Sequence, residues 1–126
     1  FDEALRLADR IAIMKDGIIE QLDTPDNIVL NPATEYVRKF TEEVPREKVL
    51  KIESVMDEVD TSEELSNLKV QKDAIIQTVA EAVLMEQKPV AVLDKNDEVV
   101  GTLHASRVIN VLFGGHAENS GSRAKE

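Results

Sequence analysis

The sequence predicts an α+β protein in which a β-α-β-β-α unit follows a hairpin and two short helices. Three observations carry that prediction. Apolar runs of strand length lie between turn residues at 10–14 and 89–94; hydroxyl or proline start signals precede helical apolar spacing; and composition shifts near Thr41. A chain of 126 residues suits one domain, or one small domain with an appendage. With three Phe, one Tyr and no Trp, the core falls to Ile, Val, Leu and Ala, which disfavours an aromatic ligand cage.

Leu5, Leu7, Ala8 and Ile11 give the apolar stripe of a short helix ending near Asp9. Residues 10–14 form a buried strand. Lys15-Asp16-Gly17 is a three-residue hairpin loop with Gly17 at positive φ, and residues 18–22 return as the partner strand. Thr24 before Pro25 is a helix start, and Asn31-Pro32 repeats the device seven residues later. The second of the two helices carries Tyr36, Val37 and Phe40 on one side. Nothing in residues 1–44 promises a core of its own.

Residues 41–51 read as a charged linker around Pro45, and residues 53–64 hold six acids and no base, the composition of a solvated segment. Asp57, Asp60 and Glu63 lack the Gly and the spacing of a calcium loop, so no metal site is expected. Residues 73–76 make a short strand. Thr78 and Glu81 form a capping box opening a helix to Gln87, with Val79, Ala82, Val83 and the stem of Glu86 on neighbouring faces of it. Strands at 89–94 and 98–103 flank the turn Lys95-Asn96-Asp97. Ser106 caps a last helix carrying Val108, Val111 and Leu112, which Gly114-Gly115 stops. The resulting division is 1–44, an acidic linker and lead-in 45–72, the β-α-β-β-α unit 73–115, and a small, polar tail 116–126 expected to be disordered, with His116 inert.

A net charge of −10 opposes phosphate attraction and docking on an anionic leaflet, so neither nucleic acid nor direct membrane insertion is expected. There is no cysteine, hence no disulfide framework or thiolate site, and no apolar run approaches the roughly 18 residues of a membrane span. A cytoplasmic location follows as the expectation. The chain begins with Phe, inside what reads as an uncapped helix, so a longer parent is expected. No G-x-x-x-x-G-K-[ST] occurs, and without that phosphate cradle the chain is not expected to be an enzyme; no catalytic residue is assigned.

The first segment resembles the C-terminal end of the ATP-binding subunit of ABC importers. The succession is "DEALRLADRI" (2–11), "AIMKDG" (12–17), Asp23-Thr24-Pro25 and Asn31-Pro32-Ala33. Its variant is similar to the quaternary-amine group, importers of glycine betaine, L-proline, carnitine or choline. Residues 73–114 resemble a CBS motif: residues 78–82, the strand 89–94, Asn96-Asp97, Val100-Gly101 and residues 106–112 match its pieces, and "IESVMD" (52–57) its lead-in. The resemblances imply a regulatory region behind an ABC ATPase at the inner face of the cell membrane. The parent would use ATP and Mg and meet a transmembrane permease subunit. One complete motif has too little core to be comfortable alone, so a homodimer through the CBS motif is expected.

CBS pairs bind adenosyl ligands, apolar strand residues holding the base and a Thr and an Asp holding phosphate and ribose. On that pattern the candidate ligand residues are Ile76, Pro89, Val90, His104, Ser106 and Arg107. His104 stands at the Thr position and Arg107 at the Asp position. A guanidinium accepts nothing from a ribose but suits phosphate, so the resemblance implies an adenine nucleotide or, better, a cyclic dinucleotide regulator. The alternatives are a dimerisation module without ligand, and a response to ionic strength through the acids of 53–64.

Overall fold

A computed structural model describes residues 4–7 and 10–114, in a chain that divides into two compact units, Phe1–Pro45 and Arg46–Glu126. The first unit is an antiparallel sheet of β1 (Ala4–Leu7), β2 (Arg10–Lys15) and β3 (Ile18–Asp23), followed by α1 (Pro25–Leu30) and α2 (Glu35–Thr41). β1 corrects the expected N-terminal helix: it pairs with β2 from Ala4 opposite Ile13 to Leu7 opposite Arg10. So short an apolar run satisfies either period. Pairing also meets the hydrogen-bonding needs of an open β2 edge without the cost of nucleating a helix. Ala8 and Asp9 of that expected helix lie outside the described residues.

The hairpin loop is two residues rather than three, because Lys15 pairs with Ile18. Asp16 and Gly17 both take positive φ, 55° and 80°, as a tight turn matched to strand twist requires. A Cβ on Gly17 would have no atom within 4 Å, so Gly17→Ala tests backbone strain alone. It is expected to cost about 1–2 kcal/mol, read as a lowered denaturation midpoint.

Thr24 caps α1 as expected, its hydroxyl accepting from the Asn27 N–H at 3.2 Å. The second start signal moves: Thr34, not Asn31-Pro32, caps α2 by accepting from the Val37 N–H at 3.2 Å. Asn31 instead ends α1, its N–H donating to the Asn27 carbonyl. Gln21 fixes the intervening loop, donating to the Asn31 carbonyl at 3.2 Å and accepting from the Ala33 N–H at 2.8 Å. Ile13, Ile28 and Val37 are buried together with Ile11, Tyr36 and Phe40 packed on them. The unit therefore has a small core, contrary to the expectation of none, although Ile18 and Ile19 stay exposed.

The second unit runs β4 (Lys69–Gln71), α3 (Ile76–Leu84), β5 (Val90–Leu93), β6 (Val99–Leu103), α4 (Ala105–Phe113), the predicted β-α-β-β-α order. β4 is parallel to β5, and β5 antiparallel to β6. β5 is central and buried at all four positions, so it reads as a continuous apolar run. The first strand lies before residues 73–76, where it was expected, and Ile76 opens α3. Thr78 makes no capping box: α3 begins two residues earlier, and the Thr78 hydroxyl donates back to the Ile75 carbonyl at 2.7 Å. Ile76, Ala80 and Val83 face inward while Ala82 is exposed, and α3 ends at Leu84, short of Gln87. Ser106 lies within the first turn of α4, whose N-cap position is His104. Gly114 is the C-cap; Gly115 and the tail 116–126 lie outside the described residues.

The stretch expected as a linker is part of this unit. Leu50 and Ile52 are fully buried. The Ile52 N–H donates to the Ala74 carbonyl and the Ile76 N–H to the Leu50 carbonyl, each at 2.9 Å. Further on, Asp57 bridges Thr102 in both directions, N–H to carbonyl at 2.8 and 2.9 Å, and so extends the edge of β6.

Candidate functional site

Two basic side chains, His104 and Arg107, stand at the start of α4, where the helix dipole favours negative charge. Without carboxylate neighbours His104 and Arg107 would be poorly placed there. The neighbours come from the acidic segment: His104 Nδ1 lies 2.9 Å from Asp57 Oδ2, and Nε2 lies 2.7 Å from Glu63 Oε2. Arg107 Nη2 donates to the other Asp57 oxygen at 2.6 Å. Hydrogen bonding to Glu63, helped by Asp57 and opposed by burial, raises the His104 pKa above its ordinary value. Arg107 chiefly, with His104, holds Asp57 below the usual carboxylate range.

The pairing extends along the acids. Glu53 meets Lys72 at 3.7 Å and Glu64 meets Lys88 at 2.9 Å. Asp60 accepts from the Ser62 N–H and hydroxyl at 3.0 and 2.6 Å, which lowers its pKa. Residues 53–64, read from composition as solvated, thus form a strap tied to cations of the second unit. Each exposed pair contributes at most about 1 kcal/mol and is weakened by salt; together they set where the strap lies. Two buried oxygens in this region, Glu63 Oε1 and Thr102 Oγ1, have no hydrogen-bond partner.

Of the residues the sequence singled out, His104 and Arg107 come together through Asp57. Ser106 is exposed beside them. Ile76 and Val90 are fully buried and present no surface to a ligand in this conformation. Pro89 is half-buried, its carbonyl accepting from the Ser66 N–H at 2.8 Å. Sequence reasoning weighed Asp57 and Glu63 only as calcium ligands and set them aside. The signal available was the pair of basic residues at a helix start, which calls for acids from elsewhere. Among the described residues, no group of His, Cys, Asp and Glu is placed to hold a metal ion, and no helix is long and apolar enough to cross a membrane.

No family model matches the chain, and no solved structure does. Curated proteins do. The chain is similar to the trimethylamine N-oxide transport system ATP-binding protein TmoW of Pelagibacter ubique, 66% identical over 113 residues, 90% of this chain and 33% of that protein. It is 41% identical over 113 residues to the protein of the same name from Ruegeria pomeroyi, 90% of this chain and 32% of that one. The glycine betaine/carnitine transport ATP-binding protein GbuA of Listeria monocytogenes is 38% identical over 112 residues, 88% of this chain and 26% of that protein. The chain spans about a third of the length of the first two relatives and about a quarter of the third. A match of 113 residues exceeds the first unit, which ends at Pro45, and so continues through the strap and sheet of the second.

Proposed function

With the chain homologous to the ATP-binding subunits of ABC transporters, we propose that it belongs to such a subunit in an importer of small methylated amines, trimethylamine N-oxide first. The observation that carries this reading is the 66% identity to TmoW across 90% of the chain. Betaine-type solutes come second, on the lower identity to GbuA, and L-proline has the sequence resemblance alone behind it. The subunit would sit at the cytoplasmic face of a permease and hydrolyse ATP with parts this chain lacks, since no phosphate-cradling loop occurs in it. The test is ATP-driven uptake of labelled solute by vesicles carrying the whole importer. Trimethylamine N-oxide should be accumulated and should outcompete glycine betaine; accumulation of neither would remove the reading.

Within that subunit the second unit would be a regulatory region of CBS type, pairing with a second copy and gating transport. Its trigger is proposed to be ionic strength. The support is the strap: four of its six acids, Glu53, Asp57, Glu63 and Glu64, meet basic side chains of the same unit. Pairs of this kind respond as the Debye length falls from about 10 Å at 0.1 M to about 3 Å at 1 M salt. An adenine or cyclic dinucleotide at His104, Ser106 and Arg107 has less support, because such a ligand must first displace Asp57 and Glu63. A dimerisation region without any trigger predicts no salt response at all.

A further inference from the structure

His104 differs from the other ties of the strap. Both of its ring nitrogens face carboxylate oxygens. A neutral imidazole has one N–H and one lone pair, and a carboxylate only accepts. Two such contacts therefore require the imidazolium. The neutral ring keeps one of them and turns the other into a lone pair facing an anion.

Which contact survives is decided by what else holds each acid. Asp57 also accepts from Arg107 and is joined through its backbone to Thr102 in both directions. Glu63 has a second carboxylate oxygen that is buried without a partner, so His104 is its described side-chain tie. We propose that His104 is a proton-operated latch: protonated, it pins Glu63 and the loop 58–63 to the start of α4; neutral, it releases that loop while Asp57 and the Glu64–Lys88 pair stay in place. The charged groups facing the ring are Asp57 from the segment beside β6, Glu63 from the loop, and Arg107 from α4, which reaches it through Asp57.

The direction with pH follows. The His104 pKa is higher in the folded chain than its ordinary 6.5, so the latch is fully closed below that value and opens as pH rises through the folded one. Asp57, depressed below 3.8, fixes the other limit: its contribution is lost as pH falls through its folded pKa. This inference rests on the strap geometry and not on the transport reading, and uptake can fail while it holds.

The test is NMR of the whole chain at fixed ionic strength, following the His104 ring nitrogens and the Glu63 amide, whose N–H donates to the Asp60 carbonyl at 3.0 Å. Protection of that amide, corrected for intrinsic exchange, should fall about fivefold as His104 deprotonates, the scale of one lost contact. The Asp57 amide should keep its protection. In Glu63→Gln the His104 midpoint should drop and the Glu63 response should vanish. If that variant is poorly folded, His104→Gln should show an open loop at every pH. A neutral His104 ring in mildly acidic solution, or a ring that titrates while the Glu63 amide stays unchanged, overturns the latch.

Discussion

Gly101→Ala is expected to destabilise the second unit by about 1–3 kcal/mol, the range for forcing an extra methyl into a packed site. A Cβ on Gly101 would stand 2.5 Å from Met56 Sδ and 2.8 Å from the Asp57 carbonyl oxygen. The sulfur can turn away; the carbonyl cannot, since the Asp57 backbone is bonded to Thr102 on both its N–H and its oxygen. Glycine is needed at this position for close approach rather than for φ. Met56→Ala in the same chain should therefore rescue little of the loss. Urea denaturation followed by circular dichroism gives the stability change, and amide exchange at Asp57 shows whether the strap has come off the edge of β6. Native-like stability together with full Asp57 protection would contradict the close approach of the Asp57 carbonyl to Gly101.

The second large effect is expected at Ile52→Ala, about 2–5 kcal/mol by loss of buried side chain and the cavity left behind. Ile52 is fully buried between a charged stretch, 41–51, that reads as a linker and an acidic one, 53–64, that reads as solvated. It is held between the Ala74 carbonyl, which accepts from its N–H, and the turn it opens over Ile52–Ser54. A linker residue would tolerate the change within about 0.5 kcal/mol. Denaturation of the variant separates these outcomes cleanly, because the two ranges do not overlap.

Where the sequence was legible, one period or one cap left no competitor. Residues 90–93 have no polar residue to suggest a helix face, and Thr24-Pro25 combines an accepting hydroxyl with a residue preorganised for the first helical turn. The errors have physical causes. Ala4–Leu7 was too short to distinguish strand from helix, and the open edge of β2 decided it. Asn31-Pro32 looked like a cap, but Thr34 offers the same chemistry three residues after Asn31, with Asn31 already ending α1. Thr78 and Glu81 had the spacing of a capping box inside a helix that had begun at Ile76. The candidate site was half legible: His104 and Arg107 are visibly basic residues at a helix start, while Asp57 and Glu63 reach them from 47 and 41 residues before His104. No local pattern encodes so distant a pairing.

The most direct measurement is ATP-driven solute uptake by the reconstituted whole importer as internal ionic strength is varied at fixed pH. The native subunit would be compared with one in which Glu53, Asp57, Glu63 and Glu64 are changed to Gln or Asn. The predicted result is uptake that changes steeply with salt in the native transporter and a much flatter profile in the variant, with transport itself retained. Salt profiles that coincide in an active variant would contradict a strap held by charge as the regulatory element.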